Sequence, residues 1–225
     1  MNSFVIAAAG LVALVNFRLL GGSRLVPIIR GAALQGALLA LISVALRARE
    51  LELGFAALAL GSAGIKGYVL PALLLRALRQ VEIRREVEPL VGYNLSLLIG
   101  AAGLGLSALL GARIAASAAT STPLLVTVAL FTMGTGLFLI VARRKAVTQV
   151  LGYLVFENGI YGFGVAVAGE APLLVEMGVL LDLLVAVFVM GIIIFHIQRD
   201  FSHIDVDRLA LLRDVDAPVP PGEAS

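Results

Sequence analysis

The chain has 225 residues, 60% of them hydrophobic and 14% charged, with a mean hydropathy of +1.03. Soluble domains carry about 25% charged residues, so a water-soluble core could not hide this much apolar surface, and lipid must be the solvent for most of it. The net charge of +2 does not mark a nucleic-acid binder, because the basic residues collect in loops, and the lack of cysteine excludes disulfides, iron–sulfur ligation and thiolate metal sites.

A hydrocarbon core of about 30 Å requires roughly 20 apolar residues per helix. Seven segments meet that length: 2–20, 25–46, 52–76, 90–112, 123–142, 147–168 and 172–197. The first, from Asn2 to Leu20, has no basic leader or small-residue cleavage site before it and reads as a permanent helix. It stops at Gly21-Gly22, and the second stops at a charged group from Arg47 to Glu52. The third holds Lys66 among small residues, Gly61-Ser62-Ala63-Gly64-Ile65-Lys66-Gly67, with Pro71 just beyond. Pro71 cannot donate to the carbonyl of Gly67, so a kink is expected beside the lysine. A charged run from Arg76 to Glu88 leads to the fourth segment, which is expected to end near Arg113. The fifth and seventh open on Pro123 and Pro172, where a missing N–H costs nothing. The sixth follows Arg143-Arg144-Lys145 and carries Glu157; the seventh carries Glu176 and Asp182 and reaches His196. No barrel-type alternation is visible, so the expected fold is all-α, a polytopic membrane protein of about seven transmembrane helices.

Counting Lys and Arg on alternate sides sets the orientation. One side collects Arg18, Arg24, Arg30, Arg76, Arg79, Arg84, Arg85, Arg143, Arg144, Lys145, Arg199, Arg208 and Arg213, thirteen in all, against Arg47, Arg49 and Arg113 on the other. This places the N-terminus outside and the C-terminus in the cytoplasm. Residues 1–204 then form the transmembrane domain, and 205–225 a cytoplasmic tail, expected to be partly disordered, with the stretch Pro218-Val219-Pro220-Pro221.

Four ionisable side chains fall inside these spans: Lys66, Glu157, Glu176 and Asp182. Each charge near the bilayer centre costs roughly 2.5–3.5 kcal/mol on insertion scales, which makes all four candidates for function. Glu157 is flanked by Asn158 and has Tyr153 and Tyr161 four residues away on either side, within reach as hydrogen-bond donors. It reads either as a proton-bearing group or as hydrogen-bonded glue between helices. Lys66 reads likewise as a relay member or as a structural partner for a carboxylate. Glu176 and Asp182 differ by roughly 120° in direction and about 9 Å along one helix, which suits successive proton stations better than a paired-carboxylate site. His196 lies about 21 Å beyond Asp182 by helix rise and reads as interfacial. With His203 it makes only two imidazoles, too few for a multi-histidine metal centre. Walker, zinc-protease, triad and dinucleotide motifs are all missing, so the chain offers no catalytic or redox chemistry of its own. Gly159, Gly162 and Gly164 are expected to serve close helix packing.

The run Ala142-Arg143-Arg144-Lys145-Ala146-Val147-Thr148-Gln149-Val150-Leu151-Gly152-Tyr153-Leu154-Val155-Phe156-Glu157-Asn158-Gly159 resembles the hydrogenase-4 component E family. Further elements in matching order are Lys66 with Pro71, then Ala171-Pro172-Leu173-Leu174-Val175-Glu176-Met177-Gly178 with Asp182, then Ile204-Asp205-Val206-Asp207-Arg208-Leu209. More distantly, the last three helices, 123–198, resemble the K subunit of respiratory complex I and the C subunit of multi-subunit cation/proton antiporters. Their mid-membrane glutamate corresponds to Glu157, and either Asp182 or Glu176 to the second acidic residue of the K subunit. That pattern has asparagine where this chain has Lys145.

The resemblance implies a non-catalytic, multi-pass subunit in the cell (inner) membrane, part of a complex-I-like [NiFe] hydrogenase assembly. Its implied partners are antiporter-like membrane subunits and a hydrogenase membrane anchor. The nickel–iron centre and iron–sulfur clusters would sit in those partner subunits, with no cofactor here. Glu157, Asp182, Lys66 and Glu176 would contribute to a redox-coupled proton or sodium path. Two other roles stay open: a structural adaptor between subunits, and a stand-alone secondary transporter, against which the lack of an inverted repeat counts.

Overall fold

The computed structural model describes residues 3–46, 61, 64–80, 90–118, 120, 122–143, 146–167 and 191. All regular elements among them are helical: α1 (Ser3–Gly21), α2 (Leu25–Leu46), a π-helical turn (Ile65–Val69) leading into α3 (Leu70–Gln80), α4 (Tyr93–Ser117), α5 (Pro123–Ala142) and α6 (Ala146–Val167). Five of them, α1, α2, α4, α5 and α6, are long and apolar enough to cross a membrane, which makes this a membrane protein. The expected seventh segment, with Glu176, Asp182 and His196, lies outside the described residues, as do His203 and the tail.

Boundaries follow local chemistry. Pro123 takes the first helical position of α5, where its missing N–H is no loss. The fourth segment does not stop at Arg113. Helix α4 continues to Ser117, through helix-favouring alanines, and closes with the Ala118 N–H on the Ile114 carbonyl at 2.9 Å. At the other end Leu90 and Val91 stay out of the helix, because the Leu90 N–H donates to the Ala142 carbonyl at 3.0 Å instead. Where a kink is expected beside Lys66, the backbone forms a π-helical turn. An extra residue per turn re-registers the backbone ahead of Pro71, the proline that cannot donate.

Cross-helix contacts fix relative directions. Leu19 lies over Gly31 while Asn16, one turn earlier, bonds to Gln35, one turn later, so α1 and α2 are antiparallel. Leu97 lies against Gly21, and Leu20 and Phe17 against Gly100, so α1 and α4 are antiparallel as well. Asn16 pairs with Thr132 and Leu20 with Arg143, which sets α1 and α5 parallel. Asn158 meets Ala32 and Gln35 while Tyr161 meets Ser43, so α2 and α6 are parallel. Helices α2 and α4 therefore point the same way. The stretch between them includes the π turn and α3, which run against α2 with Gly67 at Ala37 and Pro71 beside Ala32 and Ala33.

The tightest pair is α5 with α6, packed antiparallel through glycine. Met133 faces Gly159, Gly136 faces Phe156, and Ile140 faces Gly152. A Cβ added at Gly152 would meet the Ile140 nitrogen and the Gly136 carbonyl oxygen at 2.9 Å, and one at Gly159 the Met133 nitrogen at 2.5 Å. Without a hydrophobic drive between helices in lipid, backbone approach of this kind supplies the dispersion contact that holds them. The close-packing role expected for Gly159 and Gly162 is met, the latter against Leu39 of α2.

Both ends of this hairpin are tied to the bundle. At one, the Arg143 side chain is fully enclosed: its guanidinium donates to the Leu20 carbonyl at 2.8 Å and the Val91 carbonyl at 3.2 Å. The same group sits 4.8 Å over the Tyr93 ring. At the other end, the Thr120 hydroxyl donates to the Ala166 carbonyl at 2.5 Å. Arg143, read from sequence as one charge in a basic loop, is thus a clamp on the ends of α1, α4 and α5.

Candidate functional site

Two apolar clusters fill the bundle, one above the other. The first contains Leu19, Leu25, Ile29, Leu70, Leu74, Leu139, Leu151 and Val155; the second contains Val5, Val12, Leu39, Ile42, Leu125, Val128 and Tyr161. Along α2, α5 and α6 the first cluster gives way to the second at Gln35, Thr132 and Asn158 respectively. On α1 the matching residue is Asn16. These four polar side chains form a layer at mid-depth, each nearly or wholly inaccessible to solvent, with Glu157 beside Asn158 and only 2% exposed.

The layer is a directed chain of hydrogen bonds across four helices. Asn158 Nδ2 donates to Gln35 Oε1 at 3.3 Å and to the Ala32 carbonyl at 3.3 Å. Gln35 Nε2 donates to Asn16 Oδ1 at 2.8 Å, and Asn16 Nδ2 to Thr132 Oγ1 at 2.8 Å. The chain ends where the Thr132 hydroxyl donates to the Val128 carbonyl of its own helix, at 2.8 Å. One turn beyond Glu157, the Tyr161 hydroxyl donates to Ser43 Oγ at 2.8 Å, and Ser43 to the Ala40 carbonyl at 2.8 Å.

The structure brings some of the sequence-derived candidates together and separates others. Glu157, Asn158 and Tyr161 face the interior. Tyr153 does not: it is 52% exposed. Residues four apart on a helix differ by about 40°, so the two tyrosines stand about 80° apart, enough for one to leave the bundle. Pro71 is buried and shares a void of about 10 Å³ with Ala32, Ala33, Leu154 and Asn158. The backbone of Lys66 lies in the π turn, next to Gly67 and so at the depth of the layer.

The residues missed from sequence are the neutral ones, Asn16, Gln35 and Thr132. Each is a polar side chain midway along an apolar run, and asking where a lone amide finds a partner in lipid would have singled out the first two. A second cleft, of about 100 Å³ between α4 and α5, is lined by Gly100, Gly103, Ser107, Gly134 and Thr135 among others. Among the described residues, no ionisable side chain lines it.

Chemically, Glu157 can hold or release a proton. The amides carry no charge, but supply oriented dipoles where water is excluded, in a layer that Glu157 adjoins through Asn158. Among the described residues no cluster of His, Asp and Glu could hold a metal ion.

No family model matches the chain, and no solved structure does. It is 35% identical over 217 residues to the uncharacterized protein Rv0085 of Mycobacterium tuberculosis, covering 92% of this chain and 94% of that one. It is also 37% identical over 78 residues to hydrogenase-4 component E of Escherichia coli K12 and of Shigella flexneri; these matches span 35% of this chain and 36% of each relative.

Proposed function

Because this chain belongs to the same family as the uncharacterized protein Rv0085 of Mycobacterium tuberculosis, and shares a stretch with hydrogenase-4 component E, we propose that it is a membrane subunit of a hydrogenase-type complex. In this reading it sits in the cell (inner) membrane as a seven-helix protein, N-terminus outside, within a complex-I-like [NiFe] assembly. Its neighbours are antiporter-like subunits and the hydrogenase anchor, and the nickel–iron and iron–sulfur centres stay in the partners.

Its own contribution is a protonatable station for redox-coupled translocation. Glu157 is the first member, followed by Asp182, Lys66 and Glu176. The carrying observation is the burial of Glu157 beside a four-helix chain of hydrogen-bonded side chains, between two apolar layers. A carboxyl kept at mid-depth, where insertion costs roughly 2.5–3.5 kcal/mol, is an expensive way to achieve packing alone. Glutamine in its place keeps shape and hydrogen bonding and removes only the titratable proton.

Glu157→Gln is therefore expected to leave the amount of assembled complex on native gels unchanged and to reduce proton uptake by reconstituted vesicles at least tenfold. If instead the complex fails to assemble while whatever assembles pumps normally, the chain is an adaptor.

Orientation has its own test, aided by the absence of native cysteine. A membrane-impermeant maleimide applied to spheroplasts is expected to label Ala118→Cys, in the turn after α4, and to spare Ser225→Cys. The reverse pattern would invert the topology.

A further inference from the structure

We propose that Gln35 is a positioning residue for Glu157: bonded to Asn16 on one side and to Asn158 on the other, it fixes the rotation of α6 and hence the direction in which the Glu157 carboxyl leaves the helix. This rests on the reading of Glu157 as the proton-bearing group.

Gln35 has no slack. It is fully buried, its amide nitrogen is engaged by Asn16 Oδ1 at 2.8 Å, and its amide oxygen accepts from Asn158 Nδ2 at 3.3 Å. Asn158 follows Glu157 directly, so a twist of α6 that moves one moves the other by the same angle. On its α5 side α6 is held by backbone contact through Gly152 and Gly159, which resists separation but is not directional. On its α2 side the contacts include hydrogen bonds, from Asn158 and from Tyr161, and those are directional. A buried amide between apolar layers specifies register because every slipped arrangement leaves it without a partner. Apolar side chains at the same depth would tolerate a slip.

Packing and positioning separate in a variant series. Gln35→Leu strands the Asn16 Oδ1 acceptor and takes one of two acceptors from Asn158 Nδ2, whereas Gln35→Leu combined with Asn16→Leu removes the stranded amide as well; in both, Asn158 keeps its bond to the Ala32 carbonyl. The full chain in lipid nanodiscs is read by infrared difference spectroscopy, with the Glu157 carboxyl band identified by its loss in Glu157→Gln. The assembled complex is read in vesicles.

Gln35→Leu is expected to shift the Glu157 band and to lower translocation about tenfold. The double variant is expected to regain the wild-type unfolding midpoint while band and translocation stay altered. An unshifted band in Gln35→Leu overturns the proposal, as does recovery of band and translocation together with stability in the double variant. If Glu157→Gln itself leaves translocation unchanged, the functional reading falls, and the band shift alone decides whether Gln35 positions the carboxyl.

Discussion

Gly136→Val is expected to cost at least about 3 kcal/mol, or to prevent the α5–α6 hairpin from forming, as read by unfolding midpoints in detergent. At this position a Cβ meets the backbone nitrogen of Phe156, its Cα at 2.6 Å and the Gly152 carbonyl oxygen at 2.7 Å. None of these is the end of a flexible side chain, so the helices must separate along their length and lose contact at Gly152 and Gly159 too. The control lies two residues away on the same helix. Gly134 has nothing within 4 Å of an added Cβ, and Gly134→Ala is expected to be neutral or slightly stabilising, since alanine is the better helix former. Equal effects at the two positions would mean that the hairpin does not depend on backbone approach.

The second large effect is expected at Arg143. Its guanidinium serves poorly satisfied carbonyls: Leu20 lies in the last turn of α1, where helix carbonyls lack intrahelical partners, and Val91, outside any helix, otherwise accepts from the Ser96 hydroxyl at 3.4 Å. Arg143→Leu removes a buried charge, which by itself lowers the desolvation cost, but strands the Leu20 oxygen and leaves that of Val91 with only the longer bond from Ser96. At about 1–3 kcal/mol per stranded group, we expect a net loss of about 2–4 kcal/mol. Arg143→Lys should recover less than half of that, because a single ammonium cannot span both carbonyls in a fixed fork or stack on the Tyr93 ring. Full rescue by lysine would reduce the clamp to a matter of charge alone.

Hydropathy located the described spans well, since a membrane helix is defined chiefly by length and apolarity. The ends of α2 and α5 coincide with expectation, and those of α1 and α6 lie within one residue. Helix α4 starts and stops later than charge punctuation implied, because Arg113 near a helix end does not break helical hydrogen bonding and the loop at Leu90 is claimed by Ala142. Glu157 and Asn158 were legible as candidates because a charged or amide group stands out in an apolar segment.

The partners of Asn158 were not legible. Gln35 and Asn16 each add one neutral polar side chain to a strongly apolar window, and their alignment at a common depth is set by helix register, which hydropathy does not encode. Arg143 lies in the turn where the sequence puts it, but its burial was not legible for a related reason. A charge census treats every loop arginine as facing water, whereas this one turns back to satisfy helix ends. Nor could spacing alone separate Tyr153 from Tyr161, since which flank of Glu157 faces the interior depends on where α2 lies.

The α5–α6 hairpin also has a mechanical consequence. Two helices in backbone contact at three glycines, tied at both ends by Arg143 and Thr120, form a stiff post, and Glu157 is mounted on it. Sliding or tilting one helix against the other would force main-chain atoms through each other. Any movement that alters access to the Glu157 carboxyl must then come from its own side-chain torsions or from the elements packed on the post's open flank. The π turn that bears Lys66, one residue out of α-helical register, lies against α2 and leads directly into Pro71, which borders Leu154 and Asn158 on that flank.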